Sequence, residues 1–550
     1  TPGDARGHEA LVTVRDLHVT FPRRPRDIHA VAGLNMTIRP GEAVGIVGES
    51  GSGKSVTVRS LLGLAGRGAI VEADTMEVFG RDAMALPERR WRSIRGGRIG
   101  LVLQDALVSL DPMRTVGREV DEALRLHTTA TRRDRARRVV ELLAEVGMPN
   151  PEYCARRHPH ELSGGLRQRA LIASAIAGEP DLIVADEPTT ALDVTVQAQI
   201  LDLLASRQRA GTALLLVSHD LAVVAAICER VLVMKGGAVV EAGPTRDILT
   251  APATSYTRTL LAAVPSAATR GHALSSLERR PLPQRTVDRD RVVLRADAVS
   301  RDFTAPGEPT CHAVREVSAE VRAGETLGIV GESGSGKSTL ARILAGLLEP
   351  SAGRVLLNGR PWAPLPDRAR RDRRRLVQVI AQDPLSSFDP RYSARQVLAE
   401  PLRGLGLDHA EVGRRVDRIA SLVALTDVPL DASPRRYSGG ERQRLAIGRA
   451  LIGEPAVLVA DEPVSALDVS VQAQILDLLA ILRAKTGTSV VFISHDLGVV
   501  HHLADRVIVM KDGWAVETGP ADQVFDRPRH PYTRELLAAV PKLPLAVACP

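Results

Sequence analysis

The sequence predicts an α/β protein that consists of two tandem copies of a domain of about 250 residues. Long stretches of the first half return in the second half in the same order. Within each half, short apolar runs typical of buried parallel strands alternate with segments of helical spacing. These runs end in glycines, acids or a histidine, so polar side chains collect where open α/β sheets bind ligands, at the carboxyl ends of the strands.

The repeat sets the domain boundaries. The segment LSGGLRQRALIASAIAGEPDLIVADEPTTALDVTVQAQILDLLA at 162–205 matches YSGGERQRLAIGRALIGEPAVLVADEPVSALDVSVQAQILDLLA at 437–480, a period far too long for a solenoid. The stretch 266–290 lacks apolar periodicity, and as a flexible linker it would span roughly 25–30 Å. We predict an N-terminal tail (1–9), a first domain (10–265), a linker (266–290), a second domain (291–541) and a C-terminal tail (542–550).

Composition and charge disfavour several classes of protein. No apolar run approaches the roughly 18 residues of a membrane-spanning helix, and the first letters, TPGDARGHEA, do not form a secretion signal. The four cysteines are far apart, so we expect neither a zinc site nor a redox pair. The net charge of +7 is diffuse, and its densest runs, 131–138 and 367–375, also contain acids. We interpret them as solvated helix faces, and expect a cytoplasmic protein that does not bind nucleic acid directly.

A glycine-rich loop, GESGSGKS, occurs at 48–55 and again at 331–338. Each copy follows a strand-like run and precedes a helical segment, which is the context of a phosphate-binding P-loop. Backbone N–H groups would surround the phosphates, the lysine would reach the β- and γ-phosphates, and the last serine would ligate Mg²⁺. The alternative is a plain glycine turn. The candidate ATP ligands are Gly48, Ser50, Gly51, Ser52, Gly53, Lys54 and Ser55, then Gly331, Ser333, Gly334, Ser335, Gly336, Lys337 and Ser338.

Two acids and a histidine follow the loop in each half. Asp186 and Asp461 end apolar runs, where a carboxylate can hold Mg²⁺ through its water shell. The glutamate after each is a candidate general base, and a histidine that ends the next run would contact the γ-phosphate. Alone, Asp-Glu-Pro could be a helix N-cap region and a lone histidine a core residue, but their repetition beside the loop favours catalysis. The catalytic candidates are Glu187, Glu462, His219 and His495.

The letters SGG stand before a long helical segment at 163–165 and 438–440. A serine hydroxyl and two glycines at a helix start form an anion-binding arrangement. Because each half already has a phosphate loop, a second anion site makes sense if it serves the nucleotide of the other half. The candidate residues are Ser163, Gly164, Gly165, Ser438, Gly439 and Gly440.

With these motifs in this order, both halves resemble ATP-binding cassette (ABC) ATPases, over about 500 of the 550 residues. The resemblance implies that each half has a RecA-like α/β core, an antiparallel β subdomain and a helical subdomain. It also implies that two ATP molecules are sandwiched head to tail between the halves. Further positions are carried over: a Q-loop glutamine near ATP and Mg²⁺, a D-loop aspartate and an aromatic ring on adenine. They are Gln104 and Gln382, Asp193 and Asp468, and Phe21 and Phe303.

A narrower resemblance is to the peptide/nickel importer branch of ABC proteins. It rests on QDPLSSFDP at 382–390 and RHPYTRELLAAVP at 529–541, with weaker copies at 104–112 and 254–265. In that branch, two separate ATPase subunits usually energise uptake of di- or oligopeptides. The chain resembles those two subunits fused into one.

The same resemblance implies partners and a location. Two transmembrane permease subunits would dock on 105–112 and 383–390 and hold the chain at the cytoplasmic face of the inner membrane. A separate extracytoplasmic binding protein would select the cargo, which the sequence leaves open among peptides, nickel complexes and glutathione-like molecules. The alternative is a soluble tandem ABC ATPase that acts on ribosomes or nucleic acid. Such proteins usually carry a longer charged linker and lack the peptide-importer segments.

Three residues depart from the pattern of the branch. Leu166 follows SGG where Gln or Glu is usual, and Ala106 stands where the second half has Pro384. Cys549 alone remains in a tail that in many members holds an iron–sulfur cluster, so we do not expect a cluster. Both phosphate loops and both candidate bases are intact, and we therefore expect two hydrolysing sites that need not be equal.

Overall fold

The computed structural model describes residues 10–23, 26–103, 109–189, 192–304, 310–465, 467–541 and 543. The chain forms two compact units, Thr1–Leu261 with Pro541–Pro550, and Ala262–Val540. Each has a six-stranded mixed sheet, a smaller antiparallel sheet and surrounding helices, so the predicted α/β class is confirmed. Among the helices of the described ranges, none has the length and apolar character needed to cross a membrane.

In the first half, the six-stranded sheet has the order β11-β10-β3-β9-β8-β7, and the antiparallel sheet has the order β2-β1-β5-β6 with β4 beside β1. The strands are β1 (Val12–Phe21), β2 (Ile28–Ile38), β3 (Ala43–Gly48), β4 (Ile70–Glu72), β5 (Thr75–Val78), β6 (Arg81–Asp82), β7 (Ile99–Val102), β8 (Leu182–Asp186), β9 (Ala213–Ser218), β10 (Arg230–Lys235) and β11 (Ala238–Pro244). The helices are α1 (Lys54–Leu61), α2 (Glu88–Ile94), α3 (Val116–His127), α4 (Arg132–Glu145), α5 (Pro151–Ala155), α6 (Gly164–Ile176), α7 (Val194–Arg209), α8 (Leu221–Ile227), α9 (Thr245–Thr250) and α10 (Ser255–Ala262).

The second half repeats this plan, with the six-stranded order β17-β18-β19-β14-β20-β21 and the antiparallel order β13-β12-β15-β16. The strands are β12 (Asp288–Phe303), β13 (Cys311–Ala323), β14 (Thr326–Gly331), β15 (Ala352–Leu357), β16 (Arg360–Ala363), β17 (Val377–Ile380), β18 (Val457–Asp461), β19 (Ser489–Ile493), β20 (Arg506–Lys511) and β21 (Trp514–Pro520). The helices are α11 (Lys337–Leu344), α12 (Asp367–Arg370), α13 (Ala394–Ala399), α14 (His409–Leu422), α15 (Gly439–Leu451), α16 (Val469–Thr486), α17 (Leu497–Leu503), α18 (Ala521–Asp526) and α19 (Pro531–Ala538).

The central strands explain why the motifs meet. Every residue of β3, β8, β9 and β14 is buried, which is why these strands appear in the sequence as continuous apolar runs rather than alternating ones. In each unit the neighbours of the loop-bearing strand run parallel to it. Their carboxyl ends therefore lie at one edge of the sheet, where the glycine loop, the acids and the histidine follow.

Residues 266–290 differ from the flexible linker expected from the sequence, because they pack on the second unit. Leu274 is fully buried, and the N–H groups of Leu274 and Ser275 donate to the two carboxylate oxygens of Asp477 at 2.9 and 2.8 Å. Arg270 donates to the carbonyl oxygens of His501 and Ala504 at 3.2 and 2.8 Å. A short segment held through its backbone N–H groups needs no apolar periodicity, so its sequence resembles that of free chain.

Candidate functional site

The glycine loop of each unit connects a buried strand to a helix. β3 ends at Gly48 and α1 begins at Lys54, and the same junction joins β14 to α11. A Cβ at Gly48 would lie 2.2 Å from the carbonyl oxygen of Met234, and one at Gly331 would lie 2.2 Å from that of Met510. Both glycines have a positive φ, so only glycine fits where the loop leaves the sheet.

The loop lysine is held by the backbone of its own loop. Lys54 is buried, and its Nζ donates to the carbonyl oxygens of Gly48 and Glu49, both at 2.8 Å. The second unit repeats this arrangement, with 2.8 and 2.7 Å from Lys337 to the corresponding oxygens. This places a fixed positive charge inside a loop of backbone N–H groups, the environment in which proteins bind phosphate.

The serine after each lysine contacts the aspartate at the end of a neighbouring strand. Ser55 Oγ donates to Asp186 Oδ1 at 3.0 Å, and Ser338 Oγ donates to Asp461 Oδ1 at 3.0 Å. Burial raises the pKa of both aspartates, although the serine hydrogen bonds oppose this shift. Asp186 Oδ2 is buried and has no hydrogen-bond partner among the described residues.

This oxygen pair fits Mg²⁺, since a hard cation prefers hydroxyl and carboxylate oxygens and would compensate the buried carboxylate charge. In the part of the chain that the structure describes, no group of three or more His, Cys, Asp and Glu side chains could hold a metal ion. Such a group is not needed for Mg²⁺, which usually takes one or two protein oxygens and fills its remaining positions with substrate phosphates and water.

The glutamate after each aspartate lies in a turn that aims it at the neighbouring strand end. Glu187 and Glu462 have φ of +50° and +48°, a left-handed conformation that costs about 1–2 kcal/mol for a residue with a side chain. Their Oε2 atoms lie 3.4 and 3.3 Å from Nδ1 of His219 and His495. Backbone strain of this kind persists where function requires it.

Each glutamate also changes the protonation of its histidine. Burial alone would lower the pKa of His495, but the hydrogen bond and charge of Glu462 outweigh it and raise the pKa, and Glu187 does the same to His219. Burial would raise the pKa of Glu462, but His495 and Lys337 lower it. The carboxylate of Glu462 is therefore ionised, as a general base must be.

The Q-loop glutamine of the second unit joins this cluster. Gln382 Nε2 donates to Glu462 Oε2 at 3.0 Å, so glutamine, glutamate and histidine form one hydrogen-bonded group. Gln104 and residues 105–108 lie outside the described residues, so its expected place is not tested.

The SGG serines are helix N-caps. Ser163 Oγ accepts from Leu166 N at 3.4 Å at the start of α6, and Ser438 Oγ accepts from Glu441 N at 3.3 Å at the start of α15. In the second unit Ser438 Oγ also donates to the carboxylate of Glu441 at 2.9 Å, a contact that Leu166 cannot provide. The Ser163 hydroxyl therefore has no carboxylate partner at residue 166, and the two SGG turns differ chemically.

The D-loop aspartates cap the next helices. Asp193 accepts from Val196 N and Asp468 from Val471 N, both at 3.0 Å, at the starts of α7 and α16. Within each unit these carboxylates thus have a structural role, and the hydrogen bonds leave their predicted role beside the nucleotide open.

The two predicted adenine-stacking rings differ in exposure. Phe303, at the end of β12, is 43% exposed, and the guanidinium of Arg301 lies 4.9 Å from its ring centroid. Phe21, at the end of β1, is half-buried and packs against the core of the first unit. The second ring is therefore more accessible to a base than the first.

One tyrosine in each unit contacts the loop and is not among the residues predicted from the sequence. Glu49 N donates to the hydroxyl of Tyr256 at 3.3 Å, and Glu332 N donates to that of Tyr532 at 3.1 Å. The sequence contains a signal for them, since both tyrosines stand in the repeated letters YTR-x-LLAAVP. In the structure, two of the six lysines lie over their rings.

A groove lies along the predicted docking segment of the second unit. It has a volume of about 220 Å³ and runs between residues 383–390 and Ser433–Arg435. Arg449 of α15 holds this segment by donating to the carbonyl oxygen and hydroxyl of Ser387 at 2.7 and 3.0 Å. The helix that begins with SGG is thus connected to the groove by one side chain.

Two glycine loops, each at the edge of a mixed sheet and each with its Ser–Asp and Glu–His pairs, define a P-loop ATPase with two nucleotide sites. Family models specify the class further. A model described as ABC transporter matches residues 31–190 and 314–465. A model described as the C-terminal region of oligopeptide/dipeptide transporters matches residues 240–288 and 516–546.

The chain belongs to the ABC transporter family, and it is an ATP-binding, ATP-hydrolysing subunit with two cassettes in one chain. The Glutathione import ATP-binding protein GsiA of Salmonella choleraesuis (strain SC-B67) is 40% identical over 563 residues, covering 96% of this chain and 89% of its own. GsiA of Escherichia coli O157:H7 is 42% identical over 557 residues, with the same coverage. A solved dimeric structure of the ATP-binding cassette MJ0796 bound to ADP and Pi is 29% identical over 42% of this chain and 98% of that chain, with a TM-score of 0.39.

Proposed function

We propose that the chain is the motor of an importer that takes up a peptide-like molecule, either glutathione or a di- or oligopeptide. The observation that carries this proposal is the pairing of two ATPase centres with two copies of the oligopeptide/dipeptide transporter region. Relatives 40–42% identical over 96% of the chain are named for glutathione import, which makes glutathione the first cargo to test. No observation on the described residues favours action on ribosomes or nucleic acid.

Each loop would hold the phosphates of one ATP. Lys54 and Lys337 would supply positive charge, and the serine–aspartate pairs would hold Mg²⁺ together with the Q-loop glutamines. Mg²⁺, when bound, would neutralise charge that develops on the phosphates during transfer. The residues proposed for the metal are Ser55, Gln104, Asp186, Ser338, Gln382 and Asp461.

Glu187 and Glu462 would activate water for attack on the γ-phosphorus. The carboxylate accepts a proton from the water, the new oxygen–phosphorus bond forms, and the bond to the β–γ bridging oxygen breaks to leave ADP. His219 and His495 hold the glutamates through the contacts described and would donate to a γ-phosphate oxygen.

The SGG turns would complete the sites of the opposite halves. The support is chemical: Gly164 and Gly439 begin helices whose first N–H groups lack intrahelical partners, and such ends bind anions. Asp193 and Asp468 would lie beside the shared nucleotides, and Phe21 and Phe303 would stack on adenine.

Two permease subunits would be the partners, at the cytoplasmic face of the inner membrane. The groove at 383–390 offers one docking surface, with the apolar ring of Phe388 and the carboxylates of Asp383 and Asp389 along it. The equivalent groove of the first unit would be formed by 105–112. A separate binding protein would deliver cargo to the permeases and contact this chain only through them.

Uptake by intact cells tests the proposal. The gene would be deleted in its source organism, and entry of radiolabelled glutathione, a dipeptide and a pentapeptide would be measured. We expect the deletion to abolish entry of at least one of them. The wild-type chain should restore uptake, and an equally expressed Glu187→Gln/Glu462→Gln chain should not. Normal entry of all three, with the chain sedimenting with ribosomes, would refute the importer.

A further inference from the structure

The peptide group between Gly48 and Glu49 is held from both of its polar ends. Its carbonyl oxygen accepts from Lys54 Nζ at 2.8 Å, and its N–H donates to the hydroxyl of Tyr256 at 3.3 Å. A peptide group is planar because its C–N bond has partial double-bond character. A contact that fixes the N–H therefore also fixes the direction of the carbonyl that receives the lysine.

The second unit has the same arrangement at its own loop. The carbonyl oxygen of Gly331 accepts from Lys337 Nζ at 2.8 Å, and Glu332 N–H donates to the hydroxyl of Tyr532 at 3.1 Å. The segments around the tyrosines differ, TSYTRT in the first half and HPYTRE in the second, yet the contact is retained. Both copies of the repeated domain thus have the same geometry at this contact.

A second lysine fixes each tyrosine ring. Lys235 Nζ lies 4.7 Å from the ring centroid of Tyr256, and Lys511 Nζ lies 4.3 Å from that of Tyr532, both within range of a cation–π interaction. The chain has six lysines among 72 basic residues, so four of the six belong to these two loop-and-tyrosine clusters. The ring cannot swing away from the loop without losing this contact.

The segment that carries each tyrosine is anchored at its start. The carboxylate of Glu241 on β11 accepts from the N–H groups of residues 253 and 254 at 2.7 and 3.1 Å. Glu517 on β21 accepts from those of residues 529 and 530 at 2.8 and 3.1 Å. Each segment thus bridges the antiparallel edge hairpin of the sheet and the nucleotide loop.

We propose that Tyr256 and Tyr532 are positioning residues of the two nucleotide loops. Their hydroxyls orient the first peptide group of the loop, and through it the lysine ammonium that meets the phosphates. Without the hydroxyl the peptide plane can rotate, so the lysine is less well placed and ATP binds more weakly at that loop alone. The inference concerns ATP binding and is independent of the cargo.

The test compares Tyr256→Phe and Tyr532→Phe with Tyr153→Phe and Tyr392→Phe in the full chain. The control hydroxyls contact Arg157 and Arg403, away from either loop. Amide hydrogen exchange without nucleotide would be followed over residues 43–53 and 326–336, and ATP would be titrated calorimetrically. Each tyrosine variant should speed exchange in its own loop only and weaken one ATP site about 2- to 10-fold, the value of one hydrogen bond. The controls should behave as wild type.

Unchanged loop exchange and unchanged ATP affinity in both variants would overturn the proposal. So would faster exchange confined to the tyrosine segments themselves, which would indicate a packing role only. Lys235→Gln and Lys511→Gln keep the hydroxyl and remove the cation over the ring, so they cover the case in which a phenylalanine variant folds poorly. Exchange in the matching loop should also rise in these variants, and its failure to rise would contradict the proposal.

Discussion

At the scale of single residues, the candidate bases combine an unusual backbone with an ordinary side chain. Glu187 and Glu462 are held in a left-handed turn, and each meets a histidine from the neighbouring strand end. Changing both to Gln keeps side-chain size and hydrogen bonding but removes the proton acceptor. We expect ATP to bind nearly as in the wild type and hydrolysis to fall about 10²- to 10⁴-fold.

Phosphate release and nucleotide affinity would be measured side by side on the double variant. Glu179→Gln and Glu454→Gln are matched controls, because these glutamates also have a positive φ but lie outside the site. They should retain wild-type rates. A double variant at 187 and 462 that hydrolyses ATP at near the wild-type rate would show that other groups act as base.

The site residues that could be predicted from the sequence are those that bind through the chemistry of their own side chains. Lys54 closes a glycine-rich loop, and Asp186 and His219 stand at the ends of apolar runs, so their type at these positions indicated phosphate chemistry. Tyr256 could not be predicted in this way, since its partner is a backbone N–H that every residue except proline provides. The residue type at position 49 therefore gives no indication of this hydrogen bond.

At the scale of elements, the packed segment 266–290 depends on Asp477. Its carboxylate is buried and is the acceptor for the N–H groups of Leu274 and Ser275. Asp477→Ala would leave the buried N–H of Leu274 without a partner, at a cost of about 1–3 kcal/mol, and would also remove the acceptor of the exposed Ser275. We expect the segment to detach, which limited trypsin cleavage after Arg279 would report.

Asp522→Ala is the control for this prediction. It removes the ion pair with Arg270 on the same segment, but the Asp522 side chain is 66% exposed, and such pairs contribute about 0–1 kcal/mol. Cleavage should stay close to that of the wild type. Equal cleavage in the two variants would mean that Asp477 does not anchor the segment.

The same packing predicts sensitivity to acid through His502. This buried histidine contacts Thr269 Oγ1 at 3.2 Å, and burial, together with Arg270 and Arg483, lowers its pKa to about 4. An unfolded histidine titrates near about 6.5, so between these values the unfolded chain binds more protons and stability falls as the pH falls. His502→Gln should flatten the dependence of thermal stability on pH from about 6.5 to 4.5.

His409→Gln, at an exposed position that begins α14, should keep the wild-type pH dependence. Thermal unfolding at several pH values checks both variants, and trypsin cleavage of the segment gives a local readout. A wild-type slope in His502→Gln would assign the acid sensitivity to other groups.

Arg449 provides an element-scale test of docking. Its side chain is largely buried, and burial lowers its pKa while it holds Ser387 in the segment along the groove. Arg449→Ala should loosen residues 383–390 and weaken co-purification with the permeases, while ATP binding to the isolated chain is retained. Ser174→Ala, at the equivalent position of the first half, removes no guanidinium and should not weaken it. Undiminished permease binding by Arg449→Ala would separate the groove from docking.

Elements with buried strands were predictable, and the joint between the halves was not. Continuous apolar runs such as AVGIVG occur where both sheet faces are covered, so β3 and β14 could be found from sequence. The segment 266–290 is polar because it lies on a surface, and polarity alone does not distinguish packed from free chain.

At the scale of the whole molecule, the repeat and the compact units do not end at the same place. The transporter C-terminal region of the first half matches 240–288, yet the structural boundary falls at Leu261. The rest of that region belongs to the second unit. Its backbone N–H groups donate to Asp477, and its Arg270 donates to the carbonyl oxygens of His501 and Ala504. Removing residues 1–290 would therefore expose the surface that this segment covers on the second unit, whereas removing residues 1–265 would leave it covered.

The last prediction asks why the chain carries its loop twice. If each loop is completed by the SGG turn of the other half, Ser50 should approach Ser438 when ATP is bound. A disulfide needs Cα atoms closer than about 7 Å, so cysteines at these two positions report the approach directly. They would be placed in a cysteine-free chain with Glu187→Gln and Glu462→Gln, so that ATP stays bound. Cross-linking should appear with ATP and disappear without it.

Two comparisons make this result specific. Because both halves belong to one chain, their effective concentration is fixed, so the cross-linked fraction should not change on dilution. Cysteines at Ser50 and Ser163, within one half, should not cross-link. Adjacent positions would be scanned in case the first pair of Cβ vectors diverges. If Ser50 cross-links with Ser163 instead, each half closes its own site. The N–H groups at the start of the SGG helix would then contact the phosphates held by the loop of the same half.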